Sequence, residues 1–376
     1  MDRQDSSDIK HLYVFNRCYI CHRPLVENGR YSFMCSSCYK QNAEKREVFL
    51  KKDAVLEGMI AIVTGGRIKI GYETSLSLLR KGATVLVTTR FPVDAVLRYS
   101  KEEDFNEWVG HLMIYGIDFR DVREVEKLID WIEKKLPYLD ILINNAAQTI
   151  ARPEEYYRHL RILEQKERGL LSDLEQKLLQ NKINPLKENK DWLRMVLPSI
   201  SIDENGFQMD YRPRNSWTSR AWDVSTKELL EVQLVNVTAP FLFASRLVKM
   251  MRKSPFDKRF IINVSSMEGR FSRQNKNSFH PHTNMAKASL NMLTRTIAES
   301  YHSLGIYVNS VDTGWITDEN PYPIFMKNKN SGFRPPLDVI DGATRICYPF
   351  LSYLYSDKRI EPEYGKFLKD FHSINW

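Results

Sequence analysis

The chain has 376 residues, 43% of them hydrophobic, with a formal charge of +8 from 55 basic and 47 acidic residues. That length accommodates one large α/β domain with additions and a packed core, while no apolar run approaches the roughly 18 to 20 residues that a membrane span requires. The positive charge is spread along the chain, with mild clusters at Lys45–Lys52 and Lys249–Lys258, so it reads as solvated surface, and a nucleic-acid partner is not expected.

The opening Met1-Asp2-Arg3-Gln4-Asp5 is not a signal peptide, and a cytoplasmic location is expected. Four of the five cysteines follow at once, as Cys18-x-x-Cys21 and Cys35-x-x-Cys38, while Cys347 stands far away. Each pair can present two thiolates from one tight turn, and four thiolates close a tetrahedral zinc sphere, so the predicted site builds structure. Two disulfides or a redox pair are the other readings; stable disulfides are disfavoured in a cytoplasmic chain. His11–Asn42 is too short to bury a core, so metal binding would supply its folding energy. Residues 1–53 are therefore read as a zinc module plus a charged, helical connector, Glu44–Asp53, with a protein as the module's possible partner.

From residue 54 onward strand and helix alternate. Met59–Val63, Thr84–Thr88, His111–Ile117 and Leu139–Asn144 read as strands, with helices over Tyr72–Lys81 and Asp121–Lys135, the latter N-capped by Asp121. Such alternation predicts βαβ units and a parallel sheet. An insertion at about 150–222 interrupts the pattern. Its first half, Pro153–Lys182, carries Leu160, Leu163, Leu170, Leu171, Leu174 and Leu178 at helical intervals; its second half, Ile183–Trp222, reads as ordered loop. Launched from the end of a parallel strand, the insertion falls near the ligand-binding ends of the sheet. A lid or substrate wall is the favoured reading and an oligomer contact or packing arm the other. A helix over Ser225–Lys253, the strand Phe260–Val264, a helix over Asn284–Ser303, the strand Ile306–Val311, a proline-rich loop Asn320–Pro336, a helix over Val339–Leu354 and a last strand around Lys366–Lys369 complete the chain.

Within this frame lie Thr64-Gly65-Gly66-Arg67-Ile68-Lys69-Ile70-Gly71 after the first strand, Asp118-Phe119 after the third and Asn145-Ala146-Ala147 after the fourth. Asn236, Ser266, Lys287 and Gly314-Trp315-Ile316-Thr317 follow in order. The ordered set resembles the short-chain dehydrogenase/reductase family from about Leu56 to the C-terminus. The resemblance implies a Rossmann-type doubly wound parallel sheet of about seven strands. It also implies a pyridine dinucleotide with its pyrophosphate at the Gly65–Gly71 turn and a helix N-terminus, adenine near Asp118 and Phe119, and the nicotinamide ribose near Asn145–Ala147. Gly314, Ile316 and Thr317 would meet the nicotinamide carboxamide. Thr88-Thr89-Arg90 resembles the NADP-preferring branch, since a carboxylate there would repel a 2′-phosphate, so NADP(H) is expected over NAD(H). A homodimer or tetramer through the two long helices is also implied.

Lys69 and Thr283 depart from the family, as do Thr313, which precedes Gly314 where the family has proline, and Thr317, which sits one residue early. Lys69 replaces the middle glycine of the turn, so its ammonium either reaches a phosphate or points to solvent. Thr283 stands where the family has the catalytic tyrosine four residues before Lys287, whereas Ser266, Lys287 and Asn236 match the serine, lysine and asparagine of the proton relay. An aliphatic hydroxyl is too weak an acid to replace a phenol that titrates near 10 and can be pulled lower by an ammonium. His280, His282, Tyr322, a water or the substrate itself are the candidate proton carriers. The expected function is hydride transfer between NADP(H) and a small carbonyl or alcohol substrate by an atypical proton route. The alternative is a dinucleotide-binding regulator whose zinc module and insertion hold a partner.

Overall fold

The computed structural model describes residues 17–25, 33–181, 210–272, 276–356 and 360–376. Helix α1 (Ser36–Leu50) starts inside the second cysteine pair and leads to β1 (Ile60–Thr64), α2 (Lys69–Arg80), β2 (Thr84–Thr89), α3 (Pro92–Tyr99), α4 (Phe105–Trp108), β3 (Leu112–Gly116), α5 (Val122–Lys135) and β4 (Ile141–Asn144). The insertion contributes α6 (Arg158–Lys166) and α7 (Asp173–Leu178). After it come α8 (Thr226–Gln233), a π turn (Leu234–Thr238), α9 (Ala239–Arg246), α10 (Val248–Arg252), β5 (Arg259–Ser265), α11 (Pro281–His302) and β6 (Ile306–Asp312). The last elements are α12 (Tyr322–Asn330), α13 (Val339–Leu354), β7 (Phe367–Lys369) and β8 (His372–Ile374).

All strands form one sheet in the order β3-β2-β1-β4-β5-β6-β7-β8, parallel as far as β7. Strand side chains alternate between its faces. Ala61, Val63, Val85, Val87, Ile141 and Ile143 join a core with residues of α2, α3 and α13, while Ile60, Ile62, Leu86, Leu142 and Ile261 join one with residues of α5, α9 and α11. Period-two alternation thus builds a core on each face. Chain order reverses between β1 and β4, and that switch point opens a crevice at the strands' carboxyl ends.

The expected strands and main helices are present, and the Asp121 side chain accepts from the Arg123 N–H at 3.0 Å at the start of α5. Four local features differ. First, α3 and α4 fill the β2–β3 connection; Pro92 at the first helical position and Asp94 in the first turn are ordinary start signals. Second, the stretch Asn320–Pro336, expected as loop, contains α12, because Pro321 and Pro323 sit at its N-terminus, where a missing N–H removes no helical bond. Third, an eighth, antiparallel strand pairs with β7 through a turn in which Asp370 and Phe371 have φ of 47° and 71°. That left-handed pair usually announces itself as Asn-Gly, which this sequence lacks. Fourth, the helix expected over Ser225–Lys253 forms but carries a π turn ahead of Pro240. Among the described residues Thr226–Arg252 is the helical run long and apolar enough to cross a membrane; it lies against the sheet with Val232, Phe243 and Leu247 buried.

The first half of the insertion covers the sheet's β3 edge. Gln180 N–H donates to the Ile114 carbonyl at 2.9 Å, and Asn181 both accepts from Gly116 N–H and donates to its carbonyl at 2.7 Å. An amide side chain thereby continues the ladder and blocks an edge open to pairing. The Glu164 carboxylate of α6 accepts the Val93 and Asp94 N–H groups that open α3, which fastens the insertion to the body. Most of the stretch read as ordered loop lies outside the described residues. Asn181→Ala is expected to lower the stability of the chain by about 1–2 kcal/mol, the worth of two modest hydrogen bonds at a half-buried edge. Urea denaturation measures it, and an unchanged midpoint would contradict the edge-capping role.

Candidate functional site

The turn after β1 is held by bonds that cross to β4. Thr64 Oγ1 donates to the Ile143 carbonyl at 3.2 Å and accepts from the Asn145 and Ala146 N–H groups at 2.9 and 3.0 Å. The Asn145 amide donates to the Thr64 and Gly65 carbonyls at 2.9 and 3.2 Å. A Cβ on Gly71 would stand 2.4 Å from the Gly65 carbonyl oxygen and 2.5 Å from Asn145 Nδ2, so only glycine lets α2 start this close to the strand tips. Lys69 occupies the middle-glycine position and adopts φ of 54°; the backbone keeps the left-handed form despite its side chain, at a local cost. Among the described residues no side chain caps the N-terminus of α2, and its first turn holds no acid. Its leading N–H groups and positive dipole end thus face the crevice.

The crevice is a cavity of about 380 Å³. Of the predicted cofactor residues, Gly65, Arg67, Lys69, Ile70, Gly71, Thr89, Arg90, Asp118, Phe119, Asn145, Ala146, Ala147, Ile316 and Thr317 line it. Thr64, Gly66 and Gly314 are not among its lining residues. At the end of β2 the Arg90 guanidinium stacks over Tyr157 at 4.4 Å from the ring centroid. Arg67 is buried against Asp94. Asp118, expected near an adenine, has its carboxylate held by Arg120, Nη2 to Oδ2 at 2.7 Å. Burial alone would raise the Asp118 pKa, but Arg120 and Arg90 hold it below its ordinary value.

The proposed relay lies off this wall. Lys287 is buried and donates to the Val264 carbonyl at 2.8 Å. Burial depresses its pKa to about 8, against the attraction of Glu268 and Asp312. Asn236 accepts from Gln148 N–H at 2.7 Å and donates to the Gln148 carbonyl at 3.1 Å, so its side chain holds the strand β4 exit. Pro240 has no N–H for the carbonyl four residues back, that of Asn236. Ser266 precedes a 3-10 turn (Met267–Gly269), where a Cβ on Gly269 would meet the Lys287 carbonyl carbon at 2.5 Å; glycine there brings this turn onto α11. Thr283 is buried, and its hydroxyl has no hydrogen-bond partner among the described residues.

The alternative proton carriers are placed unequally. His280 stacks on Trp217 with centroids 4.0 Å apart and meets its carbonyl through Nδ1 at 2.8 Å. Tyr322 packs on Tyr211 at 4.6 Å. His282 Nε2 lies 3.1 Å from Glu228 Oε1, while its buried Nδ1 has no hydrogen-bond partner among the described residues.

The four N-terminal sulfurs converge. Cys18, Cys21, Cys35 and Cys38 Sγ all lie within 4.8 Å of one another, and the Cys21–Cys35 separation is 3.7 Å. A tetrahedron with Zn–S of about 2.3 Å has edges of roughly 3.8 Å, whereas a disulfide needs about 2.05 Å, so the set fits a metal. Burial opposes ionisation of Cys18, yet backbone N–H groups of Cys21, Cys35 and Ile20 outweigh it and pull the thiol down to about 7.

Cleft residues that the sequence reading did not single out are Gln148, Thr149, Ile150, Arg152 and Tyr157, with Phe91, Val235 and Glu319. Gln148, Thr149 and Ile150 follow directly from Asn145–Ala147, and Arg152 and Tyr157 lie within the next seven residues. Their signal was the launch of the insertion from the end of β4.

Two family profiles match the chain: short chain dehydrogenase over residues 59–162 and Enoyl-(Acyl carrier protein) reductase over residues 212–328. Uncharacterized protein R665 of Acanthamoeba polyphaga mimivirus is 32% identical over 349 residues, covering 88% of this chain and 70% of that protein. The (+)-neomenthol dehydrogenase of Capsicum annuum is 38% identical over 89 residues, 23% of this chain and only 28% of that enzyme. Among solved structures, a short chain dehydrogenase from Burkholderia cenocepacia J2315 in complex with NADP aligns at TM-score 0.53 and 18% identity, covering 83% of this chain and 96% of that one. A putative short chain dehydrogenase from Escherichia coli CFT073 complexed with NADPH aligns at 0.52 and 17% identity, covering 84% and 98%. At such identities the structures report the shared fold.

Lys287 supplies a signed pH test. Its folded pKa of about 8 lies below the ordinary 10.5, so between these values the unfolded chain binds more protons and stability rises with pH. Replacing it in Lys287→Met should remove a gain of up to about 3 kcal/mol across that window. Urea denaturation of both chains at the two ends of the window measures this, and an identical pH dependence would contradict the burial of an ionisable amine.

Proposed function

Because the chain belongs to the short-chain dehydrogenase/reductase family, we propose that it is an oxidoreductase that moves a hydride between NADP(H) and a carbonyl or alcohol. The observation that carries this reading is the crevice at the β1–β4 switch point, with the Gly65–Gly71 cradle, the uncapped α2 N-terminus and Arg90 at the tip of β2. The pyrophosphate would lie on the α2 N–H groups, with Lys69 beside it. Arg90, on its Tyr157 platform with Thr89 adjacent, would take the 2′-phosphate, and no carboxylate among Thr88-Thr89-Arg90 opposes that. The bound nucleotide supplies the hydride chemistry.

In this reading Lys287 holds the nicotinamide ribose by turning its ammonium from the Val264 carbonyl, Ser266 orients the substrate oxygen, and Asn236 keeps the Ala147–Gln148 wall in place. Thr283 supplies no acid. Of the side-chain candidates this reading takes His282, with Glu228 on Nε2 and its buried Nδ1 without a hydrogen-bond partner among the described residues, as the proton carrier. The four cysteines would hold one structural zinc. The exposed Phe241, Met285 and Met292 of α9 and α11 fit a homodimer face.

A second reading keeps the nucleotide and drops the turnover. It is favoured by the absence of Ser266, Lys287 and Thr283 from the crevice wall and makes the chain a dinucleotide-binding regulator.

NADPH oxidation across a panel of ketones, quinones and aldehydes separates the two: turnover supports the enzyme, and binding without turnover supports the regulator. Arg90→Ala is expected to weaken NADPH binding by roughly 10- to 100-fold, the range of a charge-assisted contact, while changing NADH binding little. An equal loss for both nucleotides, read by isothermal titration, would contradict a 2′-phosphate contact. Purified chain should carry one zinc per molecule by plasma emission spectrometry and lose it in Cys38→Ser; metal-free protein with an unaltered melting curve would contradict a structural site.

A further inference from the structure

The zinc module faces its own chain. Tyr19, between the first two cysteines, accepts the Trp315 N–H on its hydroxyl at 2.8 Å. Trp315 follows Gly314, whose φ of 83° is a backbone conformation that side-chain-bearing residues rarely adopt. Cys18, Cys38, Met34 and Leu337 form one apolar cluster against which Ile316 packs, and the same Ile316 lines the crevice. Ile316 is therefore a wall one side chain thick, with the crevice on one side and the cysteine cluster on the other.

A second tie runs through charge. The Lys369 ammonium lies 5.3 Å from the Tyr19 ring centroid and 3.6 Å from Asp312 Oδ1. Asp312 accepts from Gly314 N–H at 2.8 Å with that oxygen and from Met267 N–H at 2.7 Å with the other. One carboxylate thus fixes both the Gly314 turn and the residue after Ser266, and Lys369 connects it to the face of Tyr19.

We infer that the four-cysteine module is the supporting wall of the nicotinamide end of the crevice, with Tyr19 as a positioning residue that sets the Gly314–Ile316 turn against the cofactor. This rests on the reading that a nicotinamide dinucleotide lies in the crevice with that end at Gly314–Thr317. The module's occupant is then the chain's own loop, and its metal-bound fold is a condition for gripping the nicotinamide half. The adenosine half, held at α2 and Arg90, is independent of it.

The test uses full-length, zinc-loaded chain and its Tyr19→Phe variant, which keeps the ring and removes the acceptor. Binding of NADPH and of 2′,5′-ADP, which lacks the nicotinamide half, is titrated, and amide exchange is followed over Gly314–Thr317. The variant is expected to retain its zinc, to exchange about tenfold faster at Trp315 and to bind NADPH about tenfold more weakly with 2′,5′-ADP unchanged, as loss of one buried acceptor predicts. Unchanged NADPH affinity, equal losses for both nucleotides, or unchanged exchange would overturn the inference. Should the variant fail to accumulate, wild-type chain stripped of zinc by 1,10-phenanthroline and then reloaded gives the same readouts: faster Trp315 exchange reversed by zinc supports the wall, and no change overturns it. If wild type binds neither nucleotide, the cofactor reading and the nicotinamide role fall together, while the exchange result separately decides whether the module braces the turn.

Discussion

Contact between the Gly65 carbonyl and the Cα of Gly71 is the constraint on which the functional architecture rests. With no Cβ in the way, α2 starts directly over the tips of β1 and β4, where Asn145 ties the turn to the β4 exit. The crevice and the exposed N–H groups of α2 follow from that approach. The left-handed backbone at Lys69 accepts strain to preserve it. The turn thus keeps a left-handed residue without a glycine there, at a local cost.

The N-terminal and insertion segments are joined to this frame by different physics. The cysteine module leans on Leu337 and Ile316 and bonds Trp315 through Tyr19, and α1 continues into the body: Asn42 bonds Asp341 at 2.8 Å, and the buried Lys81 ammonium caps the Phe49 carbonyl at 2.9 Å. The insertion instead uses backbone pairing at the β3 edge and Glu164 at the start of α3. One addition supports the crevice at its β6 side, and the other places Tyr157 and Arg152 at its β2–β4 side.

Much of this was legible in the sequence because parallel strands buried on both faces read as short apolar runs. Glycine and asparagine after β1 and β4 also mark where backbones must approach. The cysteine spacing foretold convergence of four sulfurs. What sequence could not disclose were contacts made at long range. Nothing near Asn236 announces that Gln148, 88 positions away, would take its amide. The Asp370–Phe371 turn hides a hairpin behind residues that seldom adopt positive φ. Tyr19 was invisible for the same reason, since its partner lies 296 positions away.

The proposed relay is unconventional at two points: an aliphatic hydroxyl at Thr283 is too weak an acid to replace a phenol, and the Lys287 ammonium donates to the Val264 carbonyl. In the proposed function the Lys287 ammonium turns to the ribose when nucleotide enters, and the most direct measurement is a crystal structure of the zinc-loaded chain with NADPH. The account predicts a nucleotide along the strand tips, its 2′-phosphate on Arg90, its pyrophosphate on the α2 N-terminus and its nicotinamide beside Gly314–Ile316 with Lys287 on the ribose. A saturating soak that leaves the crevice without nucleotide, or places it elsewhere on the surface, would contradict it.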